Sequence, residues 1–184
     1  MNFVDSSNSG DAFAIWVTGL PASGKSTLTA ALKAQLAERG IAVAVLESDD
    51  LRRILTPEPS YDEEERDGFY RQMVLLGSLL VRQGVPVIFD ATANRRRYRD
   101  MARREIPRFV EVYLDCPLET CMARDPKGIY KGARGGDATT VPGLQSPYEV
   151  PENPEVVVRC GHETPEVAAT RILMWGQATQ SPKS

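Results

Sequence analysis

The stretch that decides the fold is Gly19-Leu20-Pro21-Ala22-Ser23-Gly24-Lys25-Ser26-Thr27, which stands between an apolar run at residues 12–17 and a helical pattern. Its glycines and lysine have the spacing G-x-x-x-x-G-K-[ST] of a phosphate-binding loop. Side chains at Gly19 and Gly24 would keep phosphate oxygens away from the backbone N–H groups. The following helix points its positive dipole end at the same anion. The stretch therefore predicts a nucleotide-phosphate site after a first strand.

The same loop supplies most of the residues that we expect to bind ATP and its Mg²⁺. Lys25 can reach the β- and γ-phosphates, and Ser26 can ligate Mg²⁺. The alternative is a glycine-rich turn that only joins a strand to a helix. The buried type of strand before it and the amphipathic helix after it favour the phosphate site. The loop residues predicted to bind ATP are Gly19, Ala22, Ser23, Gly24, Lys25, Ser26 and Thr27.

Length and composition predict one α/β domain. The chain has 184 residues, 42% of them apolar and 26% charged, and a net charge of −3, so the overall charge gives no reason to expect nucleic acid as a partner. No apolar run is long enough to span a membrane and no secretory leader is evident, so we expect no membrane partner and a cytoplasmic location. We expect a flexible leader at 1–10, a domain at 11–178 and a flexible tail at 179–184.

Apolar runs alternate with helical patterns along the whole chain. Such alternation is typical of a parallel sheet with helices on both faces. The continuous run at residues 41–46 indicates a strand that is covered on both faces. With the first strand, the runs predict a five-stranded parallel sheet of the P-loop NTPase/kinase type, with strands at 12–17, 41–46, 85–89, 109–114 and 155–159.

An acidic and basic segment follows the second predicted strand, at the sheet edge where open parallel sheets bind ligands. Asp49 can take a proton from an attacking hydroxyl or hold a Mg²⁺-bound water, and Arg52 can clamp a phosphate or sulfate of the acceptor. We therefore predict both as catalytic and substrate-binding residues, with Asp49 also at the metal. The alternative is a helix start in which Asp49 or Asp50 is the N-cap and Arg52 is solvated.

A second acidic candidate is Asp90, at the end of the third predicted strand. It can meet the Mg²⁺ sphere or the acceptor, or it can simply cap a helix, and whether Asp49 or Asp90 is the main base stays open. The next helix is rich in arginine. One small ligand cannot use six guanidiniums, so we expect most of them to be solvated, with Arg95 and Arg96 nearest an anionic acceptor. The six are Arg95, Arg96, Arg97, Arg99, Arg103 and Arg104.

Residues 124–154 look like one long loop, rich in glycine and proline. A loop of this length inside a compact domain is usually functional. Its basic residues indicate a mobile lid that closes over ATP and excludes water, and the alternative is a surface loop without such a role. We predict that Arg124 and Lys131 contact ATP and that Lys127 contacts the acceptor.

From the phosphate loop to Val158 the chain resembles adenylylsulfate (APS) kinases. The most specific segments are Val110-Glu-Val-Tyr-Leu-Asp-Cys-Pro-Leu-Glu119, Ala123-Arg-Asp-Pro-Lys-Gly-Ile-Tyr-Lys131 and Pro147-Tyr-Glu-Val-Pro-Glu-Asn-Pro-Glu155. The resemblance implies transfer of the γ-phosphoryl group of ATP to the ribose 3′-hydroxyl of adenylylsulfate. It also implies a requirement for Mg²⁺, a place in sulfate assimilation and a homodimer.

The resemblance also assigns residues on the acceptor side. The family's Asp-Gly-Asp-Asn-x-Arg segment falls on Glu47 to Arg52, which implies that Asp49 is the mechanistic aspartate and Arg52 the substrate arginine. The family's acceptor-site aromatic and arginine fall on Tyr61 and Arg66. The predicted acceptor-binding residues are thus Asp49, Arg52, Tyr61, Arg66, Asp90, Arg96 and Lys127.

The departures from the family pattern also lie on the acceptor side. Phe69 replaces an asparagine, and Val141 replaces an aromatic that helps to sandwich adenine, which removes a stacking surface worth about 1–3 kcal/mol. Gln145 and Ser146 replace two aspartates.

Two segments, 48–52 and 89–95, are similar to polynucleotide-kinase-like P-loop kinases, which also use the first aspartate as base and the arginine on an acceptor phosphate. We expect an ATP-dependent kinase of an anionic small alcohol, with adenylylsulfate first. The alternatives are another phosphorylated or nucleotide-like alcohol, or a nucleotide-sensing domain without an acceptor.

Overall fold

The computed structural model describes residues 12–135 and 140–178, so the predicted leader and tail, Asp11 and residues 136–139 of the predicted lid lie outside the described residues. Five parallel strands form one sheet in the order β2-β3-β1-β4-β5. The predicted five-stranded α/β sheet is confirmed. The strands are β1 (Ala14–Gly19), β2 (Ala44–Glu47), β3 (Val87–Asp90), β4 (Phe109–Asp115) and β5 (Val156–Arg159).

Helices cover both faces of the sheet, because alternate side chains of each strand point to opposite sides. Trp16 belongs to the core under α3 and α4, and Ile15 belongs to the core under α1 and α7. The helices of the described residues are α1 (Lys25–Glu38), α2 (Ser48–Leu55), α3 (Glu63–Arg82), α4 (Arg96–Glu105), α5 (Leu118–Arg124), α6 (Ile129–Gly135) and α7 (Pro165–Ala178). Across these residues, no helix is long and apolar enough to cross a membrane.

Aromatic side chains fix the chain where β1 and β3 end. The Trp16 ring stacks on Phe89 with 4.6 Å between centroids, and its Nε1 donates to the Ala91 carbonyl oxygen at 3.1 Å. The backbone N–H of Ala93 donates to the Tyr70 hydroxyl at 3.0 Å. The segment that follows Asp90 is therefore held from both the sheet and α3.

Two predictions about burial are wrong. β2 is an edge strand, so Ala44 and Val45 are only half-buried instead of covered on both faces. The apolar residues Val167, Ala168 and Ile172 predict one packed face of α7, but Val167 is 56% exposed, whereas Ala168 and Ile172 are buried. In both cases the position of the element in the fold decides burial, and local hydrophobicity does not.

Most of the six arginines at 95–104 keep part or all of their solvent exposure, as predicted, and Arg99 is the buried exception. Arg99 is 1% exposed, and its Nε donates to Glu111 at 2.7 Å. Arg97, half exposed, pairs with Glu63 at 2.9 Å on α3. Further ion pairs join Arg95 to Glu149, Arg96 to Glu152 and Arg103 to Glu155. These side chains attach α4 to its neighbours.

The predicted loop at 124–154 contains a helix, α6, so the prediction of an unstructured lid is wrong in this part. Tyr130 and Ala133 are buried against Cys121, and the Tyr130 hydroxyl donates to the Pro21 carbonyl oxygen at 3.0 Å. The apolar spacing of Ile129, Tyr130 and Ala133 carries this signal in the sequence. The helix is docked directly on the phosphate loop.

Candidate active site

The phosphate loop leaves β1 at Gly19 and enters α1 at Lys25. Gly19 has φ +155°, and a Cβ there would lie 2.9 Å from the Leu114 carbonyl oxygen. Gly24 has φ +105°, a conformation that L side chains rarely adopt. Both glycines are therefore required by the backbone path. The loop forms one wall of a cavity of about 750 Å³, which we call the central cavity.

Lys25 places its ammonium group against the phosphate loop itself. The Nζ atom donates to the carbonyl oxygens of Gly19 at 3.2 Å and Leu20 at 2.9 Å. Burial lowers the pKa of Lys25, although the negative charges of Asp90 and Asp49 oppose this. The Lys25 ammonium group is thus bound by carbonyl oxygens of the loop, and phosphate oxygens can replace these as its hydrogen-bond acceptors.

Carboxylates gather at the ends of β2 and β3, facing Lys25. Glu47 and Asp90 are register partners in the two parallel strands. Burial raises the pKa of Asp90, while Lys25 and the hydroxyls of Ser26 and Thr29 lower it. Burial and the charge of Asp90 raise the pKa of Glu47. The acidic edge is thus electrostatically crowded before any ligand enters.

Asp49 faces a lysine of the lid. Its Oδ2 lies 2.5 Å from Lys127 Nζ, which is also 3.7 Å from Glu47 Oε1. The hydrogen bond to Asp49 is the main reason why the pKa of Lys127 is raised. The alternative that Asp49 or Asp50 is an N-cap is wrong, because the N-cap of α2 is Glu47 and no side chain caps this helix. The Asp49 carboxylate is therefore turned to the central cavity and the lid.

Arg52 and Arg66 form the basic part of the opposite wall. Arg52 is 9% exposed, so the alternative that it is solvated is wrong. Its Nη1 donates to Glu65 Oε1 at 2.5 Å, and its Cζ lies 4.0 Å from the Phe69 ring centroid. Arg66 donates from Nε to the Tyr61 carbonyl oxygen at 2.9 Å, and Nη2 donates to the carbonyl oxygen of Thr140 at 2.8 Å.

The central cavity brings together most of the predicted site residues. Ser23 is a buried residue of the phosphate loop, and Arg124 Nη1 is 3.5 Å from its carbonyl oxygen. Val141 lines the cavity where the family resemblance implies an aromatic. The predicted residues in the cavity wall are Ala22, Gly24, Lys25, Ser26, Thr27, Asp49, Arg52, Tyr61, Arg66, Asp90, Arg124 and Lys127.

Four predicted site residues do not line the central cavity: Gly19 and Ser23, which belong to the phosphate loop itself, and Arg96 and Lys131, which lie elsewhere. Arg96 donates from Nε to the Val150 carbonyl oxygen at 2.8 Å and pairs with Glu152, so its guanidinium binds the last residues of the predicted lid. Lys131 lies on the exposed side of α6 and does not line the cavity. Both side chains are drawn away by the packing of their own helices, which the sequence pattern does not reveal.

Several lining residues were missed from the sequence. Glu47 was noted only as the start of an acidic segment, although its place at a strand end is a usable signal. Thr92 follows Asp90 by two residues and carries the same signal. Tyr70 and Asp125 also line the cavity, and nothing in their local sequence marks them.

The oxygen atoms near Lys25 fit a magnesium ion. Mg²⁺ prefers hard oxygen ligands and usually keeps waters and substrate phosphates beside one or two protein groups. The Ser26 hydroxyl and the carboxylates of Asp49 and Asp90 are such groups. Among residues 12–135 and 140–178, no cluster of three or more His, Cys, Asp and Glu side chains is arranged to hold a metal alone. The donor set therefore suits an ion that arrives with a nucleotide.

A phosphate loop, an acidic strand edge and a basic lid around one cavity define a P-loop kinase. Residues 11–159 match the family model of adenylylsulphate kinase. The chain belongs to the adenylylsulfate kinase family.

Individual relatives agree with the family match over most of the chain. The adenylyl-sulfate kinase of Microcystis aeruginosa is 40% identical over 166 residues, which cover 90% of this chain and 91% of the relative. A probable adenylyl-sulfate kinase of Archaeoglobus fulgidus is 45% identical over 147 residues, covering 80% and 95%. The Mycobacterium tuberculosis APS kinase solved with AMPPNP and APS has a TM-score of 0.85 at 32% identity, covering 90% of this chain and 98% of its own.

Proposed function

We propose that this chain is an ATP-dependent kinase that phosphorylates the ribose 3′-hydroxyl of adenylylsulfate in sulfate assimilation. The products are ADP and 3′-phosphoadenylylsulfate. One observation carries the proposal: a single cavity joins the phosphate loop around Lys25 to the basic and aromatic wall of Arg52, Tyr61 and Arg66, with Asp49 lining the same space. A phosphoryl donor and an anionic nucleotide acceptor can be held there side by side.

The ATP side of the cavity uses the loop and its lysine. Lys25 exchanges its two carbonyl partners for β- and γ-phosphate oxygens, which restores hydrogen bonds to a half-buried ammonium group. Arg124 lines the same side and adds positive charge. Ser26, with Asp49 and Asp90 nearby, would hold Mg²⁺, which supplies charge neutralisation to the phosphates when it is bound.

On the acceptor side, Asp49 accepts the proton of the attacking hydroxyl. It lines the same cavity as Lys25 of the phosphate loop and Arg52 of the acceptor side. Arg52 and Arg66 bind the negative groups of the acceptor, and Tyr61 offers one aromatic face. Lys127 neutralises charge from the lid. Asp90 is the second candidate for the base, because burial raises its pKa toward the working range of a proton acceptor.

We also propose a homodimer in the cytoplasm. The family resemblance implies a dimer, and α3 exposes 45% of Leu75 and 49% of Leu79, one helical turn apart, to a potential second copy. The ATP co-substrate supports the cytoplasmic location. Sedimentation equilibrium of the purified protein measures the number of copies directly.

The test is ADP release from Mg-ATP with and without adenylylsulfate. We expect strong stimulation by adenylylsulfate, and a loss of roughly a hundredfold or more in Lys25→Ala and Asp49→Asn. Lys33→Ala is the matched control, because Lys33 is an exposed lysine of the same helix α1, and it should behave as the wild type.

Binding of ATP without stimulation by adenylylsulfate would contradict the acceptor assignment. Stimulation by another phosphorylated alcohol would then identify a different acceptor, and stimulation by none would indicate a nucleotide-sensing domain.

A further inference from the structure

We propose that Glu65 is a positioning residue that sets the acceptor side of the cavity by holding Arg52 and Tyr61 together. The inference rests on the proposed function, because it assigns Arg52 and Tyr61 to the acceptor. Glu65 stands in the first turn of α3, between the cavity wall and the body of the helix.

A single carboxylate connects two separate segments. Glu65 Oε1 accepts from Arg52 Nη1 at 2.5 Å, and Oε2 accepts from the backbone N–H of Tyr61 at 3.2 Å. Its own backbone N–H donates to the side chain of Asp62, the N-cap of α3, at 2.8 Å. The helix start therefore fixes the position of the carboxylate. The carboxylate in turn holds Arg52 of α2 and the backbone of Tyr61, in the segment before α3.

Arg52 depends on this carboxylate. The side chains of Arg52 and Glu65 are only 10% and 15% exposed, and a guanidinium removed from water needs an acidic partner. Within the described part of the chain, Glu65 is the one acid that Arg52 pairs with. The rings of Phe69 at 4.0 Å and Tyr61 at 5.0 Å cover the guanidinium.

Glu65 acts through its neighbours. Arg52, Tyr61 and Arg66 line the central cavity, whereas Glu65 does not. A guanidinium has five N–H donors, and the carboxylate of Glu65 occupies one nitrogen, so other donors remain for an anionic acceptor. Glu65 thus orients the Arg52 guanidinium and leaves N–H donors available for the acceptor.

The replacement of the family's asparagine by Phe69 fits this arrangement. An asparagine could offer Arg52 a hydrogen bond, but the buried Phe69 ring offers only its face. The orientation of the guanidinium in this chain is then left to the carboxylate of Glu65. Glu65 therefore matters more for the orientation of Arg52 in this chain than it would with an asparagine at position 69.

The test compares Glu65→Gln with Glu65→Asp and with the control Glu64→Gln. Glu64 is exposed and belongs to the same first turn. In Glu65→Gln we expect the KM for adenylylsulfate to rise roughly tenfold, since a charge-assisted hydrogen bond is lost. The KM for ATP should stay within about twofold, since the phosphate loop is untouched. Glu65→Asp keeps the charge and should recover part of the loss.

A second readout needs no acceptor. NMR signals of the Arg52 guanidinium should show hindered rotation in the wild type and in Glu64→Gln, and faster rotation in Glu65→Gln. Equal rotation in all three proteins would overturn the inference, as would an unchanged or lowered KM for adenylylsulfate in Glu65→Gln, or an equal rise of both KM values. Failure of the wild type to respond to adenylylsulfate would instead overturn the proposed function, and the NMR result would still decide the role of Glu65.

Discussion

At the scale of single residues, the central cavity contains charges that do not favour folding. Burial raises the pKa of Asp90 and lowers the pKa of Lys25, so each charged form is less stable there than in water. Burial and the charge of Asp90 raise the pKa of Glu47 as well. A bound nucleotide and its metal ion would stabilise these charged groups. Without the ligands, the groups lower the stability of the free protein.

The first prediction concerns Asp90 and pH. Because its folded pKa lies above the ordinary value of 3.8, the folded protein binds this proton more tightly than the unfolded chain does. The contribution to stability is therefore present at low pH and is lost as pH rises through the raised pKa. We expect Asp90→Asn to raise the Tm at pH 7, with a gain that shrinks as the pH is lowered.

The control for this prediction is Asp100→Asn, at an exposed position of α4. It should leave the pH dependence of the Tm as in the wild type. A lower Tm for Asp90→Asn at pH 7 would show that ionised Asp90 stabilises the fold, contrary to the argument from burial.

At the scale of elements, helix α3 carries one face of the core and one wall of the cavity. Phe69 and Met73 are buried in the core, and Glu65 and Arg66 at its start contact the acceptor side. Gly77 lies where the helix passes over Phe89. The close contact at this glycine determines the distance between α3 and the sheet. It therefore also determines the position of the first turn of α3 at the cavity.

The second prediction compares two glycines of α3. A Cβ on Gly77 would lie 2.2 Å from Phe89 Cζ, and the Phe89 ring cannot retreat because it is stacked on Trp16. Gly77→Ala should therefore cost about 1–3 kcal/mol. Gly68 has nothing within 4 Å of such a Cβ, so Gly68→Ala should stabilise by roughly 0.5–1 kcal/mol.

Urea unfolding of both variants provides the measurement. The opposite signs of the two effects make the pair its own control for helix propensity. Two variants of equal stability would mean that α3 is free to move away from the sheet at Gly77.

The sequence predicts the elements whose signals are local. The run of β4, which is apolar from Phe109 to Leu114 except for Glu111, and the motif of the phosphate loop are both recognisable, because neighbouring residues carry the whole pattern. The sequence did not predict α6, whose few apolar residues are hidden among glycines and basic residues. It also did not predict that Arg99 is buried, since its partners Glu111 and Glu149 come from other elements.

At the scale of the whole molecule, the candidate site is assembled from segments far apart in the chain. Lys127 meets Asp49 across 78 positions, and Tyr130 meets Pro21 across 109. Arg66 reaches Thr140 on the far side of the lid. Such contacts depend on the order of strands and on the docking of α6, so the sequence could name candidate residues but could not show that Arg96 and Lys131 lie elsewhere.

We propose that this whole arrangement transfers a phosphoryl group to a ribose hydroxyl. The most direct measurement follows radioactive phosphorus from γ-labelled ATP into products separated by chromatography. We expect the label in 3′-phosphoadenylylsulfate, and no labelled nucleotide product when the acceptor lacks its 3′-hydroxyl. Label that stays in ATP or appears only as inorganic phosphate, in a protein that binds both nucleotides, would contradict the account.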